Sequence, residues 1–280
     1  MFKSYNFNSG IAGPHILVLG AVHGNETAGT QAQRELINQI NQGSIRLKSG
    51  QITFVPVVNE AAYKKNCRSI DINLNRVIRY HSAPQNNEEK IANSLIRLID
   101  QCDIMLDLHS THCPKDVEFA FIDYPNAKNL ELLSLVPVKT ALAGWPQIYM
   151  GHPEITNFCT EEYAHSRGKT GITVECGYHK SPHAVKVAKQ SILNVLSHFG
   201  NIDMPVQPTH LPRTISLQSF VNKQGEGKMS KNYQHLDRIT AGETIAVYNN
   251  GQKITAPFDG YIIMPNHEAP VGAEWFYFGK

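Results

Sequence analysis

The sequence predicts an α/β protein: a mixed, largely parallel central sheet with helices on both faces, followed by a small C-terminal all-β domain. Three observations carry this prediction. Short, mainly apolar runs (Ile16–Leu19, Ile104–Leu108, Gly171–Val174) alternate with stretches whose apolar residues recur at helical spacing, the pattern of parallel strands covered on both faces. Pro205, Pro208 and Pro212 then make a stiff linker. Beyond them, short β-type runs are separated by tight-turn residues.

Ile16-Leu-Val-Leu19, bounded by Pro14 and Gly20, is apolar at every position and so reads as a strand buried on both faces. A helix follows from Thr27, because Ala28, Ala32, Leu36, Ile37 and Ile40 share one stripe and Gly43 stands where a C-terminal cap belongs. A strand over Ile52–Val58 comes next, then a polar irregular stretch, then a helix carrying Ile91, Leu95, Leu98 and Ile99. Ile104–Leu108 and Gly171–Val174 are two further buried strands, and Val185, Ala188, Ile192, Val195, Leu196 and Phe199 mark a helix ending at Gly200. The proline-rich stretch places a domain boundary near 205, giving domains 1–204 and 205–280. In the second, Thr244–Tyr248, the turn Asn249-Asn-Gly251, Lys253–Ala256, Asp259-Gly260 and Tyr261–Met264 read as short strands and tight turns.

Composition removes several classes of function. At 280 residues the chain is near twice the usual ~150 per domain, long enough to bury a full core without staples. Lys and Arg number 26 against 24 Asp and Glu, a net charge of +2 spread without long runs, which gives no electrostatic case for binding nucleic acid or a membrane surface. The five cysteines, Cys67, Cys102, Cys113, Cys159 and Cys176, include no C-x-x-C pair, so neither a disulfide framework nor a thiolate metal site is expected. The N-terminus lacks the apolar core of a signal peptide, and no apolar run approaches ~18 residues. The expectation is a soluble, cytoplasmic protein.

Three segments that follow predicted strands carry metal and acid–base chemistry, since ligands collect at the carboxyl ends of parallel strands. In His23-Gly-Asn-Glu26 the imidazole and carboxylate are three residues apart and can converge on one point. His109, in Asp107-Leu-His109, adds a second imidazole; two histidines and a glutamate suit zinc with a fourth position open for water. His112 competes with His109, whose position at the strand end favours it. Asp107, two residues before His109, can orient a histidine. Glu175, after Gly171–Val174, reads either as a buried structural carboxylate or as a general base raised by apolar surroundings. Its neighbour Cys176 has no base at a nucleophile's spacing. Arg68, Asn75 and Arg76 concentrate guanidinium and amide donors between the metal segments, either as a carboxylate clamp or as a solvated loop.

His23-Gly-Asn-Glu26, Arg68, Asn75-Arg76, Asp107-Leu-His109 and Glu175, in this order and approximate spacing, resemble the succinylglutamate desuccinylase/aspartoacylase family, whose fold is zinc carboxypeptidase-like. The motifs span 23–175, the predicted elements extend the likeness to about 200, and the β domain resembles that family's C-terminal domain. The resemblance implies one zinc per chain, held by His23, Glu26 and His109. It implies Arg68 as the residue that polarises the scissile carbonyl and helps to bind substrate, Asn75 and Arg76 as the clamp on the substrate's α-carboxylate, and Glu175 as general base and then acid. Two departures stand out. Asn73 stands where the family often has an aspartate, and the arginine used by aspartoacylases for a side-chain carboxylate has no match, Arg167 and His165 lying nearest its place.

The function so implied is hydrolysis of the amide bond of an N-acyl amino acid. A metallocarboxypeptidase acting on small peptides or cell-wall fragments would use the same metal and clamp, and a non-catalytic binding protein could keep the ligands without turnover. The β domain lacks a lysine at a hairpin tip in Phe258-Asp-Gly-Tyr261, which argues against a swinging-arm carrier. The expected partner is a small-molecule N-acyl amino acid or short peptide, with no nucleic acid and no membrane. Homo-oligomerisation stays open, as does which of Tyr178, Tyr261 and Tyr277 reaches the substrate.

Overall fold

A computed structural model describes residues 2–152 and 158–280. In chain order the elements are β1 (Tyr5–Asn8), β2 (His15–Gly20), α1 (Ala28–Asn41), β3 (Gln51–Val55), α2 (Glu60–Lys65), α3 (Asn87–Gln101), β4 (Ile104–Thr111), β5 (Phe119–Phe121), α4 (Ala127–Leu133), β6 (Thr140–Ala143) and α5 (Trp145–Ile148). They continue with α6 (Thr160–Ser166), β7 (Thr170–Tyr178), α7 (Pro182–His198), β8 (Arg213–Asn222), β9 (Gly227–Met229), β10 (Arg238–Ile239), β11 (Thr244–Tyr248), β12 (Lys253–Thr255), β13 (Gly260–Ile263) and β14 (Glu274–Gly279). The chain divides into two compact units, Met1–Ala141 with Pro153–Arg213, and Leu142–His152 with Thr214–Lys280. Among the described residues no helix is long and apolar enough to cross a membrane.

The first unit is the α/β sheet that the apolar runs predict. Its strands lie in the order β1-β3-β2-β4-β7-β5, with β3, β2, β4 and β7 parallel and β1 and β5 antiparallel. Pleating sends alternate residues to opposite faces. Leu17, Leu19 and Met105 share a core with Ile91, Leu95 and Ile99 of α3 and Ala164 of α6, while α1 and α7 pack on each other and on the sheet. Gly43, at φ +75°, follows α1 as its left-handed cap.

Three strand boundaries near the site differ from expectation, the first being β4, which runs past Leu108 and through His109 to Thr111. β3 stops at Val55, three residues short of Val58, because Pro56 has no N–H to continue a ladder. The N–H groups of Val58 and Asn59 donate instead to the Gly20 and Ala21 carbonyls, at 2.9 and 3.0 Å. β7 runs four residues past Val174 to Tyr178. Glu175 therefore lies inside a strand and not at its end, paired with His109 on one side and Phe119 on the other.

The second unit pairs β8, β14, β13 and β10 into an antiparallel sheet and β9, β11 and β12 into a smaller one. Trp275, Phe276, Phe278, Tyr233, Ile245 and Ile262 form its core. Burial pushes the His235 imidazole down to about 3, and the ring stays neutral, its Nδ1 accepting the Met264 N–H at 3.1 Å. An unfolded histidine near 6.5 binds a proton that the folded one refuses, so stability falls with pH between 6.5 and about 3. At pH 4.5 the loss is about 2–3 kcal/mol. Unfolding free energies from denaturant titration of the wild type and His235→Asn, which keeps an acceptor but does not titrate, should converge by that amount on going from pH 7.5 to 4.5. Parallel pH dependences would refute it.

Candidate metal centre and active site

After β2 the chain turns through Ala21, a fully buried non-glycine residue at φ +46°. This left-handed backbone costs on the order of 1–3 kcal/mol and persists because the Asn59 N–H holds the Ala21 carbonyl. His23 and Glu26 follow in the turn before α1, closed by the Glu26 N–H on the His23 carbonyl at 3.1 Å. β4 presents Met105, Asp107 and His109 on one face by its two-residue period. The parallel register sets Thr173 beside Asp107 and Glu175 beside His109, so the two side chains emerge together.

His23, Glu26 and His109 converge in a buried group whose candidate ligand atoms all lie within 4.8 Å of one another, the one such group among the described residues. His23 Nδ1 is 2.8 Å from Glu26 Oε1 and His109 Nδ1 is 2.7 Å from Oε2. His112 is exposed and outside the group. The outward nitrogens are also held, His23 Nε2 by Asn73 Oδ1 at 3.0 Å and His109 Nε2 by Asp107 Oδ2 at 3.1 Å. Because Asn73 Oδ1 also accepts the Asn75 N–H at 3.0 Å, it is the amide oxygen and Nε2 is the protonated nitrogen. Both Nδ1 atoms are thus directed at the shared centre. Imidazoles whose second N–H is fixed by a carboxylate or carbonyl are the usual ligands of a metal ion, and the donor set fits a borderline divalent cation.

Burial and neighbouring charges set the protonation of these groups. Burial lowers the His23 imidazole to about 4, helped by the Arg68 guanidinium, so it is neutral. Burial acts to raise Glu26, but the two imidazoles outweigh it and hold the carboxyl well below its usual range. Burial likewise acts to lower His109, and the Asp107 and Glu26 carboxylates override it upward. Glu175 is pushed up to about 8, by burial first and then by the charge of Glu26. Its Oε2 is buried with no hydrogen-bond partner.

The predicted clamp residues share one loop. Arg68, half-exposed, reaches Glu26 Oε1 with Nη1 at 3.0 Å. Asn75 and Arg76 lie on a single 3-10 turn, Leu74–Arg76, capped by Asn73. Sequence reasoning missed what holds this loop. Glu88, fully buried, accepts the N–H groups of Ile70 and Asp71 at 2.8 and 3.2 Å and the Asn59 amide at 2.9 Å. These donors outweigh its burial and keep the carboxylate ionised. Its place in the first turn of α3 was readable; its partners were not. Arg167 is engaged by Asp100 at 2.7 Å, and His165 is exposed and stacked on Tyr124 with centroids 4.1 Å apart. Tyr178 ends β7, three residues past Glu175. In the second unit the Tyr277 hydroxyl is 3.0 Å from that of Tyr149, and Tyr261 lies under the Arg238 guanidinium.

Fold and side chains together define an α/β protein with a buried His–Glu–His group at the carboxyl ends of its parallel strands. Residues 12–199 match the succinylglutamate desuccinylase/aspartoacylase catalytic domain, and the chain belongs to that family. Two proteins of Prochlorococcus marinus, strains MIT 9515 and AS9601, each named "Probable aspartoacylase", are 34% and 32% identical over 105 and 106 residues. Those matches span 34% of this chain and 34% of the relatives' own length. Among solved structures, the ectoine utilization protein EutE (DoeB) of Ruegeria pomeroyi superposes with a TM-score of 0.79 at 22% identity, covering 99% of this chain and 88% of that one. A succinylglutamate desuccinylase/aspartoacylase of Rhodobacter sphaeroides gives 0.77 at 18%, covering 96% and 86%. At these identities the structures establish the fold.

Proposed function

We propose that the protein is a zinc-dependent hydrolase that cleaves the amide bond of an N-acyl amino acid, its chemistry carried by the domain 1–204. The observation that supports this most is the juxtaposition of the His23–Glu26–His109 group with Glu175, which the strand register sets beside His109 and whose Oε2 has no partner. Zinc held by the three side chains supplies a Lewis acid and lowers the pKa of water toward ~7.

The rest of the reaction falls to the chain's own groups. Glu175 takes the proton of the attacking water at its carboxylate and returns it to the leaving amine nitrogen, so that amide and water become carboxylate and amine. Arg68 donates to the oxygen on which charge develops, a contribution of about 3–4 kcal/mol when one such donor is lost. Asn75 and Arg76 hold the α-carboxylate, the guanidinium as a planar fork and the amide as a neutral donor. The free state of all five cysteines supports a reducing, cytoplasmic setting.

Metal analysis of the purified protein, with hydrolysis assays on a panel of N-acyl amino acids and short peptides, tests the proposal. About one zinc per chain and chelator-sensitive release of the free amino acid are expected. A protein that holds no divalent metal, or whose hydrolysis ignores chelator, would overturn it.

A further inference from the structure

We infer that Thr160 is a positioning residue that locks the metal ligand His109 and the substrate clamp Asn75 to one another. The inference rests on the reading of His23, Glu26 and His109 as a metal centre. Thr160 is fully buried and is the first residue of α6. Its hydroxyl donates to Asp107 Oδ2 at 2.6 Å, the same oxygen that accepts from His109 Nε2. Its backbone N–H donates to Asn75 Oδ1 at 3.1 Å.

These two bonds complete an arc of hydrogen bonds behind the site. From His109 it passes through Asp107 to Thr160, then to Asn75, whose own N–H goes to Asn73 Oδ1, the acceptor of His23 Nε2. Both metal-type histidines are therefore oriented by one network that runs through the clamp. Asp107 Oδ1 has no partner, so without the Thr160 hydroxyl the buried carboxylate keeps only the imidazole it is meant to orient. The N–H has a separate task. By occupying the amide oxygen of Asn75 it fixes which end of that amide faces outward and leaves Nδ2 as the donor for a carboxylate. The first N–H groups of a helix have no partner within it, so this bond takes nothing from α6. Cys159 Sγ accepts the Glu162 N–H, so the cap of the helix does not depend on Thr160.

One arm can be cut alone, and then both together. Thr160→Val removes the hydroxyl and keeps the N–H. Thr160→Pro removes both, at a helix position where proline is tolerated. Zinc affinity is read by competition with a chromogenic chelator, and the Co2+ form is read by its visible spectrum. Thr160→Val should bind zinc about 10–100-fold more weakly, shift the cobalt bands and lower kcat, with KM on the best acyl amino acid of the panel unchanged within about two-fold. Thr160→Pro should in addition raise KM about tenfold, and Thr160→Ser, which retains both donors, should restore zinc affinity to within about three-fold of wild type. Thr160→Cys fills the same space with a poor donor and carries the comparison if the valine variant does not fold. A wild type that binds no zinc removes the metal reading itself. A wild type that binds zinc while Thr160→Val or Thr160→Cys matches it overturns only the role of Thr160, and so does a Thr160→Ser no better than valine.

Discussion

Glu175→Gln is expected to retain its zinc and to lose turnover by about 10²–10⁴-fold, the range a positioned acid–base group supplies. The substitution keeps the shape of the side chain and removes its ability to carry a proton between water and amine. Three causes hold the carboxyl at about 8 without metal, burial first, then the negative charges of Glu26 and Asp107, while His109 and Arg68 pull the other way. A dication bound to Glu26 would offset that residue's charge and leave burial to hold the carboxyl up. Burial still favours the protonated carboxyl, and one group there can accept a proton and later give it back. Glutamine at 175 cannot, although it leaves His23, Glu26 and His109 untouched. Zinc content by metal analysis, set beside kcat for the same preparation, decides the matter. A variant that loses its zinc would place Glu175 in the ligand set, and one that retains turnover would move the base elsewhere.

How much of this was legible in the sequence follows from which interactions are local. The strands β2, β4 and β7 announce themselves because both faces are covered, which leaves no polar position in Ile16–Leu19 and only Asp107, a residue of the site, in Ile104–Leu108. The first unit's shortest strand, β5 (Phe119–Phe121), was not found, since three residues carry no period. β7 was cut short for a related reason. Cys176 and Gly177 look like a strand's end, and Gly177 has φ +92°, yet β4 pairs again beyond them, Thr111 with Tyr178 across a register shift, and carries the strand through. By contrast β8 had a usable signal, with Ile215 and Leu217 alternating inward between exposed neighbours. In the site, the residue types at strand ends pointed to the metal group, and Asn73 was visible as a departure from the family. Its bond to His23 was not, because fifty residues separate them in the chain. Thr160 carries no signal of its own and Glu88 only its place in the first turn of α3, since their importance lies in what the fold brings to them.

Gly24→Ala is expected to destabilise the protein by about 3 kcal/mol or more and to abolish stoichiometric zinc binding. Its cause is space and not backbone freedom. A Cβ at Gly24 would stand 2.2 Å from both the Ala62 carbonyl carbon and the Tyr63 nitrogen, main-chain atoms of α2 that no rotamer change can clear. Either the His23–Glu26 turn or the helix must move, and neither moves alone. The Gly24 N–H donates to the Arg68 carbonyl at 3.1 Å, so a displaced turn also drags the clamp loop, while His23 and Glu26 flank the glycine directly. Gly43→Ala provides the contrast. Gly43 has φ +75° with nothing within 4 Å of a built Cβ, so alanine there meets only backbone strain, about 1 kcal/mol. Denaturant midpoints and zinc stoichiometry for the two variants separate the effects. Gly43→Ala should keep its zinc and lose little stability. If Gly24→Ala proves no worse, the close approach of the metal turn to α2 does not hold the site together.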